Sequence, residues 1–142
     1  MTARLTAYLG FSTEARAAME FYAAVFGGTP AFTTFADGGM PTTDPADAAK
    51  IMHGHLQTPA GFDLMASDAP TGMVPDTGSS IQLALSGGPE DDAELRGWWA
   101  RLTEGGQITE PLVTAPWGDT FGMCTDRFGT RWMVSIGAAG EG

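Results

Sequence analysis

The chain is poor in cysteine, in cations and in long apolar runs, and each shortage excludes something. Its 142 residues hold one Cys, Cys124, so no intramolecular disulfide can form. A lone thiol is read as a small buried hydrophobe with little reactivity. Only 7 Lys and Arg stand against 17 Asp and Glu, a formal net charge of −10. So acidic a protein repels phosphate backbones and anionic lipid surfaces, which disfavours nucleic acid and membranes as partners. Met1 to Gly10 carries one Arg and no extended apolar stretch. Neither a signal peptide nor a bilayer-spanning segment is therefore expected, and a cytoplasmic location follows as the default. There are only two histidines, His53 and His55. No phosphate-cradling loop, dinucleotide fingerprint or Ser/His/Asp spacing is present. Charged residues make up 17% and hydrophobic ones 43%, enough apolar material for one packed domain over residues 1–142.

What the chain has is a weak internal repeat. Arg4 to Phe11 alternates as a strand, with Leu5, Ala7, Leu9 and Phe11 on one side and Thr6, Tyr8 and Gly10 on the other. Ser12 and Thr13 offer an N-cap, and apolar residues then recur at helical spacing from Glu14 to Phe26. Gly27-Gly28 ends that helix. The plan returns with a strand over Ser80 to Leu85, Pro89 and three acids at a helix start, a stripe of Leu95, Trp98, Trp99 and Leu102, and Gly105-Gly106. Three strand-like segments follow each helix: 29–35, 50–57 and 62–67, then 107–114, 120–125 and 130–136. Both halves read βαβββ, module one over about 4–67 and module two over about 79–136. The stretch from Ala36 to Ala49, rich in Gly, Pro and Asp, has the length of a mobile flap, and Asp68 to Gly78 reads as the joint between modules.

Local motifs give this order a family likeness. Tyr8-Leu9-Gly10-Phe11, Ala18-Met19-Glu20-Phe21-Tyr22, Val25-Phe26-Gly27-Gly28, Lys50-Ile51-Met52-His53-Gly54-His55-Leu56 and Leu64-Met65-Ala66-Ser67-Asp68 fall in the first half. Trp117-Gly118-Asp119, Phe121-Gly122 and Asp126-Arg127-Phe128-Gly129-Thr130-Arg131-Trp132-Met133 fall in the second. Together they resemble the vicinal-oxygen-chelate (VOC) superfamily, the glyoxalase/bleomycin-resistance/dioxygenase type, in its PhnB-like branch. The resemblance implies an α+β fold of two tandem βαβββ modules, forming a curled mixed sheet around a cavity with the helices on the convex side. It also implies a pairing of copies, since members commonly pair or swap modules to complete their cavities.

In metal-dependent members four inward side chains, His and Glu on the first and fourth strand of each module, hold a divalent ion that chelates neighbouring substrate oxygens. Carried over one at a time, those positions fall on Thr6, Met65, Ser80 and Met133. Hydroxyls and thioethers do not balance a hard divalent ion. No cofactor is therefore expected, and a divalent ion at that site is disfavoured. Pairing of His53 and His55 with Asp63, Asp68, Asp119 or Asp126 depends on what the fold brings close. Alternation turns Tyr8, Met65, Gln82 and Met133 toward the cavity; the i, i+2 spacing of His53 and His55 puts both on one face of a strand as candidate pocket residues, and Trp117, between Pro116 and Gly118, belongs at the cavity mouth or in a dimer contact. Trp98, Trp99 and Trp132 are assigned to the helix side. The resulting expectation is a homodimer binding a small, partly apolar molecule without metal. The alternative is a glyoxalase- or dioxygenase-like enzyme that uses a displaced metal, or His53 as acid/base.

Overall fold

The computed structural model describes residues 3–73 and 81–138. The chain divides into two compact units, Met1–Ser79 and Ser80–Gly142. The first runs β1 (Ala7–Phe11), α1 (Ala15–Phe26), β2 (Ala31–Thr34), β3 (Ile51–Gln57) and β4 (Asp63–Asp68). The second runs β5 (Leu83–Gly87), α2 (Asp92–Thr103), β6 (Gln107–Thr114), β7 (Thr120–Thr125) and β8 (Arg131–Ile136). Each unit is βαβββ, and each builds a mixed four-stranded sheet, in the order β1-β4-β3-β2 and β5-β8-β7-β6. In both, the first and last strands pair in parallel and the remaining pairs are antiparallel.

Burial along the strands shows which face each helix covers. In β4 Leu64, Ala66 and Asp68 are buried while Asp63, Met65 and Ser67 are half-buried; in β8 Trp132, Val134 and Ile136 are buried while Arg131, Met133 and Ser135 are half-buried. This is the period-two signature of a sheet with one face under a helix and the other left open. Met19, Tyr22, Val25 and Phe26 supply the buried stripe of α1, and Leu95, Trp98, Trp99 and Leu102 that of α2. Gly122 lets α2 come close, because a Cβ there would lie 2.9 Å from the Trp99 ring and from the Leu112 backbone. Trp132, assigned to the helix side by alternation, is 1% exposed and gives its indole N–H to Asp126 at 2.8 Å.

Two local expectations are corrected. First, Ser12 and Thr13 do not cap α1. Glu14 precedes the helix without a side-chain cap, and its carboxylate instead accepts from the backbone amides of Ser12 and Thr13. The Ala15 amide is satisfied from a distance by Asp68 Oδ1, at 2.9 Å. Second, the first strand of each module starts late: β1 at Ala7 rather than Arg4, and β5 at Leu83 rather than Ser80. Ser80 lies outside the described residues, and β5 runs on past Leu85 through Ser86 and Gly87. The 36–49 stretch ends in a bonded turn. A short 3₁₀ helix, Pro45–Ala49, carries Asp47, which is 1% exposed. Asp47 accepts from the Thr71 hydroxyl at 2.7 Å and the Thr71 amide at 2.9 Å, and pairs with Lys50 at 3.1 Å. Those bonds, the Thr71 hydroxyl foremost, hold its carboxyl below the ordinary carboxylate range.

Candidate functional site

The open face of the first sheet gathers both histidines of the chain. Hairpin β3–β4 turns through 58–62, where the Thr58 hydroxyl bonds the Phe62 carbonyl at 2.7 Å. That turn sets the register: Gln57 lies opposite Asp63, and His55 opposite Met65. The parallel pairing of β1 with β4 then sets Tyr8 opposite Met65, and the antiparallel pairing of β2 with β3 sets Thr33 opposite His53. Tyr8, His53, His55, Asp63 and Met65 therefore share one face. Gly54 and Leu56 point to the helix side, where a Cβ at Gly54 would meet the Phe32 ring at 3.2 Å.

The polar contacts within this face are specific. His55 Nε2 and Asp63 Oδ2 are 2.9 Å apart. The Asp63 side chain is 5% exposed and is also bonded by the Arg4 guanidinium. The His55 hydrogen bond, followed by the charge of Arg4, outweighs burial and holds the Asp63 carboxyl below its ordinary range. Stability from this group is thus present above the usual carboxylate range and is lost as pH falls through the lowered value. His53 stands on the other flank: its Nδ1 lies 3.5 Å from the Tyr8 hydroxyl, and the two rings are 5.8 Å apart. The two imidazole centroids are separated by 6.3 Å. Tyr8 itself is 55% exposed.

Of the acids named as possible partners of the histidines, Asp63 alone takes up that role. Asp68 is committed to the Ala15 and Ile51 amides. Asp119 accepts from the Ala138 amide, and Asp126 from the Phe128 and Thr130 amides and the Trp132 indole. Asp63 and Arg4 are the residues that alternation alone does not bring to His55. Counting back from the 58–62 turn would have found Asp63, because a two-residue step along β4 from the partner of His55 lands on it.

The open face of the second sheet is apolar at its middle, with Arg131 on β8 and Glu110 opposite Met123 at its sides. Met133 lies opposite Ala84 on one side and Met123 on the other, and Phe121 lies opposite Val113 and Ser135. Gln82 is exposed and precedes β5. Trp117 is 72% exposed in the turn before β7. The positions carried over from the family's metal ligands thus hold Met65 and Met133 on open faces, with Thr6 just before β1. Strand register pairs Met65 with Tyr8 and Met133 with Ala84, rather than with Thr6 and Ser80. Thioethers, an Ala and a phenol do not make the hard N/O donor set of the family's divalent ions, so the residues present do not fit that group. Among the described residues, no three His, Cys, Asp or Glu side chains converge as a set of metal ligands.

Cys124 sits on the helix side of β7, 2% exposed. Burial, with the nearby charge of Asp126 second, pushes its thiol from 9.0 up to about 11. The folded protein at pH 8 is expected to resist a thiol-specific disulfide reagent, with one equivalent reacting only in denaturant. Rapid labelling of the native chain would contradict the burial. The same shift makes stability fall as pH rises from about 9 toward 11, where the unfolded thiol ionises and the folded one does not.

The paired βαβββ units and their open sheet faces define a class, and comparison with known sequences specifies it. The sequence model of the Glyoxalase/Bleomycin resistance protein/Dioxygenase superfamily matches residues 8–134, and the chain belongs to that superfamily. Protein YjdN of Escherichia coli (strain K12) is 27% identical over 144 residues, covering 93% of this chain and 94% of that one. Among solved structures, protein PA1353 from Pseudomonas aeruginosa superposes with a TM-score of 0.79 at 34% identity, covering 96% of this chain and 99% of that one. The PhnB protein from Bacillus cereus shares the fold, with a TM-score of 0.73 at 20% identity over 94% of this chain and 99% of that one. Among the described residues no helix is long and apolar enough to cross a membrane.

Proposed function

We propose that this VOC-superfamily protein binds a small, partly apolar molecule on its open sheet faces, without the divalent ion of the metal-dependent members. The carrying observation is the pair Met65 and Met133. Both stand at strand positions matching family metal ligands, both are half-buried on an open face, and neither is a hard ligand. Thioethers are flexible and polarizable, and they adapt to apolar and aromatic ligands. Tyr8, His53 and His55 on one sheet, and Phe121 and Met123 on the other, complement them with aromatic surface and a few polar atoms, the composition of small-molecule sites. A homodimer is part of the same reading, with the exposed Trp117 as a candidate contact.

The test is a thermal-unfolding screen of the purified protein against metabolites and aromatic antibiotics, alongside elemental analysis and light scattering. A ligand that binds only the folded state at a hundredfold excess over Kd adds about 2.7 kcal/mol, and it should raise Tm accordingly. Sub-stoichiometric metal is expected. Failure of every compound class would remove the binding reading, and a stoichiometric divalent ion would remove the metal-free part of it.

A further inference from the structure

We infer that the open face of the first sheet is an oxyanion site, so that the ligand carries a carboxylate or similar acidic group on its apolar body. The inference rests on the small-molecule-binding reading and deepens it by naming the group recognised.

The strand positions of this face are Tyr8 and Gly10 on β1, Ala31 and Thr33 on β2, His53, His55 and Gln57 on β3, and Asp63, Met65 and Ser67 on β4. Only one of them, Asp63, carries a carboxylate. The sequence has 17 acids against 7 Lys and Arg, and this face holds one acid together with both histidines. That acid is 5% exposed and engaged by Arg4 and His55. A guanidinium stays charged at all relevant pH values, so Arg4 offsets the carboxylate permanently. The face consequently offers little to a cation. Its net charge is zero with both imidazoles neutral and becomes positive when either takes a proton.

The donors are also arranged for an oxyanion. Donation of the His55 Nε2 hydrogen to Asp63 fixes that ring's tautomer and leaves Nδ1 to meet a ligand. A proton there turns it into a donor whose charge the carboxylate supports. His53 and the Tyr8 hydroxyl, 3.5 Å apart, supply the second donor group. The imidazole centroids lie 6.3 Å apart, a spacing that one small oxyanion can bridge. Charge-assisted hydrogen bonds of this type are roughly twice as strong as neutral ones. The titratable or charged groups facing the imidazoles are Arg4 before β1, Tyr8 on β1 and Asp63 on β4, and β2 contributes none.

The test uses the full chain and a matched set of aromatic and aliphatic carboxylic acids with their primary amides, titrated while the two imidazoles are followed by NMR. The acids are expected to bind about tenfold more tightly than the amides, a gap of one charge-assisted contact. H53Q, at a half-buried position and keeping a hydrogen-bonding side chain, should reduce the acid-to-amide ratio while leaving Tm within about 2 °C; H55Q should reduce the ratio as well, and lower Tm too because it gives up the bond to Asp63. A merely structural histidine would change Tm and leave the ratio untouched. Amides binding as tightly as acids would overturn the oxyanion inference and leave small-molecule binding standing. Binding of neither set would overturn both.

Discussion

D68A is expected to cost about 3–6 kcal/mol of folding free energy, read as a drop in the urea midpoint at pH 7. Asp68 is 4% exposed, and it ties two elements to β4 at once. Oδ1 accepts from the first amide of α1, Ala15, at 2.9 Å; Oδ2 accepts from the first amide of β3, Ile51, at 3.0 Å. A hydrogen bond to a charged acceptor contributes about 1.5–3 kcal/mol, and truncation leaves both buried amides without a partner. Domains of this size are stable by only about 5–15 kcal/mol, so the variant would lose a large share of its margin. D68N keeps one acceptor oxygen and should retain about half of the effect. Mutating Ser12 or Thr13 to Ala should cost less than about 0.5 kcal/mol, because neither caps the helix. A D68A midpoint close to wild type, or a strong effect at Ser12, would reverse this assignment of the cap.

G28A is expected to be nearly as damaging, about 3–5 kcal/mol, while G39A should cost only about 1 kcal/mol. Both glycines have positive φ, +93° and +72°, where an L side chain is strained by about 1–2 kcal/mol. The difference lies in the surroundings. A Cβ on Gly28 would sit 2.3 Å from the Gln57 carbonyl oxygen at the end of β3, whereas nothing lies within 4 Å of one on Gly39. Backbone cannot swing aside as a side-chain tip can, so the chain leaving α1 must lift off the sheet, an overpacking cost of about 1–3 kcal/mol. Gly106 repeats the arrangement in the second unit, 2.4 Å from the Thr125 carbonyl oxygen at the end of β7. Its φ is not in the left-handed region, so G106A isolates the contact from the strain. Equal losses at Gly28 and Gly39 would show that backbone strain alone governs the site.

Those glycines illustrate what the sequence carried. Gly27-Gly28 and Gly105-Gly106 were legible as helix ends from composition and position. Their second role, admitting a strand carbonyl, was not, because it depends on where β3 and β7 stop. The strands were legible wherever apolar and small residues alternated cleanly, as in Thr120–Thr125. They were displaced at the start of the second unit, where β5 begins at Leu83 and runs on past Leu85 to Gly87. The cap on α1 was misplaced because Asp68 is remote in sequence, and local Ser and Thr satisfy the same pattern. At the site, period two turned Tyr8 and Met65 inward and put His53 and His55 together on one face of their strand. It could not supply the Asp63 and Arg4 contacts, since those need the register of the hairpin and the course of the chain before β1.

The parallel pairing that closes each sheet also bears on how the chain is made. Ala7 is synthesised early, yet its ladder partner, Leu64, belongs to the last strand of the same unit. Leu83 likewise waits for Trp132. On the ribosome each edge strand must therefore remain unpaired until the whole of its unit has emerged. The later strands form antiparallel hairpins of short range, β3 with β4 and β6 with β7, and local contacts of that kind close fastest. Folding inside each unit then runs against the order of synthesis: the hairpin forms first, and the earliest strand docks last. The second unit repeats that delay after the first has had time to finish, which gives a nascent chain of this duplicated design two brief windows of exposed strand edge instead of one long one.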